Sequence, residues 1–270
     1  MKKLRVLMMI VVMLSLVGMV GGGFRLSAQE QGAEEENKAQ GKVKDEAAEL
    51  KSAALDAVLM MKDEDAIPIL EKILGNKDNP DLRKKALFIL SQKDKQKALP
   101  ILQRLAQEDP DHEVREHAVF CLGQMQGEES IAALLEIYDK VNDAGLKEKI
   151  LFSFSQHQSD KAFDKLKAIA QNEKDEELCS KAIFSLGQTG KKEALDILKK
   201  VIEDDGAGIE IRKKALFSLS QFGGGEVIDL LMPIAKSHKN NEIRKQAVFW
   251  LGQSKDPRAV KALEDILNEK

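Results

Sequence analysis

Three aspartates recur at one register of this chain: Asp164, Asp196 and Asp229 lie 32 and 33 residues apart. Carboxylates stacked on one face attract a basic or polar partner. The same residues near helix starts also suit the positive end of the helix dipole. Six glutamines follow the same rhythm, namely Gln92, Gln124, Gln156, Gln188, Gln221 and Gln253. They could form a polar ladder, but a position repeated in every unit usually serves the unit. The reading taken is that each amide caps orphan carbonyls at a helix end. Other chemistry-bearing residues are scattered. His112 and His117 are five apart, a poor spacing for sharing a metal on one helix face, and His157 and His238 lie in other repeats. Cys121 and Cys179 sit two repeats apart. Helices pack about 8–10 Å from one another, so two buried free thiols are expected rather than a disulfide. No GxSxG, SxxK, GxGxxG or P-loop occurs. No catalytic, cofactor or metal site is therefore expected. Asp164, Asp196, Asp229 and Trp250 are the partner-binding candidates. Trp250 stands where other repeats carry Ile, Cys or Ser; it either closes the C-terminal end or serves as an interface anchor.

The elements that hold these residues come from a motif of eleven residues present six times: 82–92, 114–124, 146–156, 178–188, 211–221 and 243–253. Its phenylalanines, Phe88, Phe120, Phe152, Phe184, Phe217 and Phe249, are spaced 32, 32, 32, 33 and 32 residues apart. A fixed period of this size signifies stacked supersecondary units. Within the fifth copy, Ile211, Ala215 and Leu219 lie at i, i+4 and i+8, which predicts a helix. Leu216 and Phe217 widen the apolar surface, so the phenylalanines are assigned to the core between repeats. The residue before each terminal Gln is Ser or Gly, read as a sharp turn at a helix C-terminus.

A second amphipathic helix is predicted after each motif: Asp65–Leu74, Gln96–Ala106, Ser130–Tyr138, Lys161–Ala170, Glu193–Ile202, Glu226–Ala235 and Pro257–Leu267. Pro68, Pro100 and Pro257 are placed in first turns, Pro80 and Pro110 at the starts of motif helices, and Pro233 at a kink. Ala48–Met61 reads as a degenerate first unit, with Asp56 in the Phe position, because a terminal repeat faces water rather than a neighbour. About seven helix pairs and no strand result.

The unit, an acid, an aliphatic, Arg, then A-[LIV]-F-x-L-[GS]-Q, a short turn and A-[LI]-x-x-L-x-x-[IL], resembles the short bacterial HEAT repeats, including the type named after phycobilisome lyases. The stretch 243–267 (IRKQAVFWLGQSKDPRAVKALEDIL) shows it well. The resemblance covers residues 47–270. It implies an all-α, right-handed α-solenoid with the motif helices convex and the second helices concave. HEAT-type arginine stands at Arg83, Arg115, Arg212 and Arg244, replaced by Lys147 and Cys179 between them. The HEAT-type hydroxylases that bind iron need several His-Glu dipeptides; this chain has His112-Glu113 alone.

Composition bounds the function further. Residues 1–28 read as an export signal: a basic Met1–Arg5, an apolar Val6–Val20, a glycine break and a small Ala28. A retained anchor is the alternative, although the apolar run is short for a membrane span. Residues 29–46 are charged and poor in large apolar groups, the composition of a flexible linker. Without the four basic residues among its first 28, the chain holds 38 basic and 45 acidic side chains. That balance disfavours nucleic acid and anionic membranes. The expectation is a monomeric, exported, periplasmic or secreted protein that binds a protein or peptide on its concave face. It touches a membrane only if the N-terminal segment is retained. The alternatives are a helper or lyase-like enzyme in chromophore or cofactor attachment, and a membrane-anchored regulatory module.

Overall fold

The computed structural model describes residues 46–268, so the expected export segment and most of the linker lie outside the described residues. Residues 52–268 fall in one compact unit. Fourteen helices and no strand occur among the described residues. They are α1 (46–60), α2 (Asp63–Gly75), α3 (Pro80–Ser91), α4 (Lys95–Glu108), α5 (His112–Gln124), α6 (Glu128–Lys140), α7 (Ala144–Ser155), α8 (Asp160–Asn172), α9 (Glu176–Gln188), α10 (Glu193–Glu203), α11 (Ile209–Ser220), α12 (Gly225–Ser237), α13 (Asn241–Gln253) and α14 (Pro257–Asn268). The odd-numbered helices from α3 pack in series to α13, each on the next. The even-numbered helices form a second layer, with α4, α6, α8 and α10 in series and α12 on α14. This is the two-layered α-solenoid the period predicts.

Five of the six motif helices α3 to α13 begin on a side-chain cap. Asn79, Asp111, Asp143, Asp175 and Asn240 precede α3, α5, α7, α9 and α13, and each carboxylate or amide oxygen accepts a backbone N–H from the first turn. Only α11 lacks this cap, with Gly208 in its place. The core is the continuous set of Leu, Ile, Val and Ala that the period singles out, such as Leu87, Val119, Leu151, Ile183 and Leu216.

Arginine closes the other end of the preceding helix. Arg83 Nε donates to Leu74 O at 2.9 Å, Arg212 Nε to Ile202 O at 2.8 Å and Arg244 Nε to Ala235 O at 3.4 Å. These carbonyls belong to final turns, which have no helical donor of their own. Arg83 also grips Asp109 with both terminal nitrogens, one at 3.1 Å, and both side chains are only 2% exposed.

Several local expectations are corrected. The phenylalanines are not core: Phe88 is 44% exposed, Phe120 45%, and Phe152 and Phe249 54%. At 100° per residue, Phe88 falls on the face of Lys84, Lys85 and Gln92 rather than that of Ala86 and Leu90. The small residue before Gln is not demanded by a turn. A Cβ on Gly123 would lie 2.9 Å from Ser153 Cβ, and one on Gly187 3.0 Å from Ser218 Cβ, so the neighbouring helix sets the size. Pro68 and Pro100 lie six residues into α2 and α4, not in first turns, because those helices begin earlier than the apolar pattern suggested. Pro80 does open α3, whereas Pro110 precedes the cap of α5.

Candidate functional site

The second helices of the pairs carry the aspartate register. Asp164 on α8, Asp196 on α10 and Asp229 on α12 are all exposed. Several charges on this layer are tied between helices: Lys95 to Glu129, Lys165 to Asp139 and Lys236 to Asp265, all at 2.6–2.7 Å. Asp229 joins this pattern by accepting from Arg258 Nη1 at 2.6 Å. Asp164 and Asp196 have no ion-pair partner among the described residues. The column is therefore two open carboxylates followed by a paired one. Along it α8 packs on α10, and Lys192 at the start of α10 pairs with Glu226 of α12.

Trp250 lies at the edge of the core on α13. Its ring meets Phe249 edge-on at 4.9 Å and tilts against Phe217 at 5.6 Å, and its indole N–H is buried without an acceptor. The structure thus places Trp250 far along the array from Asp164, in the layer of motif helices, and does not unite the four candidates into one site.

The glutamine reading is corrected: serine, not the amide, reaches the helix-end carbonyl. Gln92, Gln156 and Gln221 donate from Nε2 to Ser91, Ser155 and Ser220 Oγ at 3.3, 3.0 and 3.3 Å. Those hydroxyls donate in turn to the carbonyls of Phe88, Phe152 and Phe217 at 2.6–2.7 Å. The relay exists only where serine precedes the glutamine.

The phenylalanine stripe, exposed at Phe88, Phe120, Phe152 and Phe249 and half-buried at Phe184 and Phe217, is the surface that sequence reasoning missed. Phe184 and Phe217 stack at 6.4 Å, and Lys214 Nζ lies 5.5 and 5.7 Å from their centroids. The signal was available, because Lys, His or Gln at i−3 and Gln at i+4 of each Phe mark that face as wet.

Two equivalent end-of-pair hollows differ in size. The one holding Arg83, between Leu74, Leu105 and Asp109, encloses about 220 Å³. Its counterpart, where Cys179 replaces arginine, encloses about 530 Å³ between Ala170, Glu173, Glu176, Val201, Asp204 and Gly208. Cys179 Sγ is 3.5 Å from Ala170 O. Burial, then Glu173 and Glu176, raise its pKa, and burial pushes Cys121 up to about 12. Both groups remain neutral thiols, poor nucleophiles and poor metal ligands. No cluster of His, Cys, Asp and Glu suited to a metal occurs among the described residues.

A profile of HEAT repeats matches residues 72–155 and 207–270, more than half of the chain. The chain belongs to the HEAT-repeat family. The PBS lyase HEAT-like repeat matches residues 178–204. No curated protein matches the sequence. Among solved structures, lipovitellin superposes with a TM-score of 0.54 at 16% identity over 73% of this chain and 23% of that one. The HEAT array thus spans about a quarter of lipovitellin. Human deoxyhypusine hydroxylase in complex with glycerol gives 0.39 at 15% identity, covering 83% of this chain and 92% of that one. The complex of CpcE and CpcF of phycocyanin lyase from Nostoc sp. gives 0.39 at 17% identity, covering 92% and 98%. At such identities the likeness is one of fold.

Proposed function

We propose that this HEAT array is a non-catalytic scaffold of the cell envelope, binding a protein or peptide across its second helices. The observation that carries the reading is the pair Asp164 and Asp196, which share one register of neighbouring helices, are exposed and have no ion-pair partner among the described residues. Open carboxylates on neighbouring helices complement a basic or polar partner. Export rests on the basic, apolar and small-residue order of residues 1–28. The test is affinity capture from the native envelope fraction with the full chain and with Asp164→Lys/Asp196→Lys/Asp229→Lys. The triple variant is expected to fold and to lose the captured partner. Equal capture by both chains rules this face out.

The second reading, a helper in chromophore or cofactor attachment, draws on the PBS lyase HEAT-like match at residues 178–204. It requires chromophore binding, and titration of the chain with a bilin, read by absorbance, distinguishes it from the scaffold.

A further inference from the structure

The end of each helix pair is a socket, and its contents can be compared down the array. Leu74, Ala106, Tyr138, Ala170, Ile202 and Ala235 supply the carbonyl at one register, and the next motif helix answers with Arg83, Arg115, Lys147, Cys179, Arg212 and Arg244. Leu74, Ile202 and Ala235 accept a guanidinium N–H from the chain's own arginine, and Arg115 reaches Asp109 O, just past the helix end, at 2.9 Å. Where lysine replaces arginine, at Lys147, the carbonyl residue is Tyr138, and Lys147 Nζ lies 5.1 Å from the centroid of its ring. That substitution fills its own space. Cys179 does not: its side chain ends at Sγ, 3.5 Å from Ala170 O, and offers only a weak donor.

The chain widens this socket rather than closing it. The loop ahead of α11 holds the extra residue of the period, and Gly206, Ala207 and Gly208 form a wall with almost no side chain. The aspartate that follows Ile202 by three, Asp205, turns away to Arg212 and Lys239. Glu173, Glu176 and Asp204 line the remaining space together with the exposed Lys174 and Lys200, three carboxylates against two ammonium groups.

We infer that the cavity between α9 and α11 receives an arginine side chain from the bound partner, in the place the HEAT array fills elsewhere with its own. The guanidinium matches the socket because its planar fork can serve a helix-end carbonyl and a carboxylate together, as Arg83 does with Leu74 and Asp109. The inference rests on the scaffold reading and names the chemistry of the partner.

The test uses the full chain, labelled with nitrogen-15, and two peptides: acetyl-Gly-Arg-Gly-amide and its citrulline analogue, which is neutral and of nearly the same shape. The arginine peptide is expected to shift amides within 170–176 and 204–211, with the citrulline peptide about tenfold weaker. Cys179→Arg should abolish the response by filling the socket, and Cys179→Ser should keep it. Glu173→Gln/Glu176→Gln should weaken binding about tenfold without altering side-chain length, and decides the matter if Cys179→Arg does not fold. No shift, equal response to both peptides, or unchanged binding by Cys179→Arg or, where that variant does not fold, by the Glu→Gln pair overturns the inference. Envelope capture separates the two ideas. A partner still captured by a chain that ignores the arginine peptide sinks the socket and leaves the scaffold standing.

Discussion

The sockets at Arg83 and Cys179 occupy the same position in two repeats and resolve the same problem in opposite ways. At Arg83 the chain fills the hollow with a charged side chain, then neutralises it with Asp109 in the next repeat. At Cys179 the charge is gone, the loop is one residue longer, the side-chain cap of the following helix is missing, and the hollow is more than twice as large. The repeat period is therefore a baseline against which departures become visible. Four departures at one joint mark a place where packing has been relinquished.

Asp109→Ala tests the filled socket most severely. It leaves a guanidinium buried and unpaired, and should cost about 3–5 kcal/mol in urea unfolding. Replacing both partners, as Arg83→Met/Asp109→Leu, should cost much less, since the desolvated charge is removed as well. If the double variant is as unstable as Asp109→Ala, the ion pair is not what distinguishes this joint.

Gly123→Ala asks whether the tight joints are tight for the reason given. The new methyl meets Ser153 at 2.9 Å, so a loss of about 1–3 kcal/mol is expected. Gly252→Ala has nothing within 4 Å and should be neutral or gain up to about 1 kcal/mol from helix propensity. Thermal melting of the two variants compares them directly.

At the open joint, Cys179→Arg should slow amide hydrogen exchange in residues 204–208, as the guanidinium bridges Ala170 and the loop. Exchange there as fast as in the parent would show that the loop is loose for its own reasons.

The smallest effect concerns pH. Burial, then Lys84, lowers the pKa of His117, so the folded chain favours neutral imidazole. The unfolded chain takes up the proton first, near pH 6.5, and stability should fall as pH drops below that value. His117→Gln should shallow the slope between pH 7.5 and 5.5 in denaturant titrations. An unchanged slope assigns it to other groups.

The period, the helix pairs and the buried aliphatic positions were all legible in the sequence, because repetition averages out local ambiguity. What was not legible depends on distance between repeats rather than along one. Phe88 looked like core beside Leu87, yet one residue along a helix turns the side chain by about 100°. Gly123 looked like a turn residue until Ser153 appeared opposite it. The arginine register was recognised, but not the carbonyl it reaches or the hollow left by Cys179. Of the candidate site, Asp164 and Asp196 proved exposed as the amphipathic pattern required, while the tie from Arg258 to Asp229 runs between separate helix pairs and could not be read from one of them.

The two layers have one more consequence. Helices α3 to α13 of the motif row each rest on the next. No repeat in that row can therefore unfold without stripping contacts from the repeats beside it. A lesion in one motif helix, such as a methyl added at Gly123, should be felt in the melting of its neighbours as well as its own.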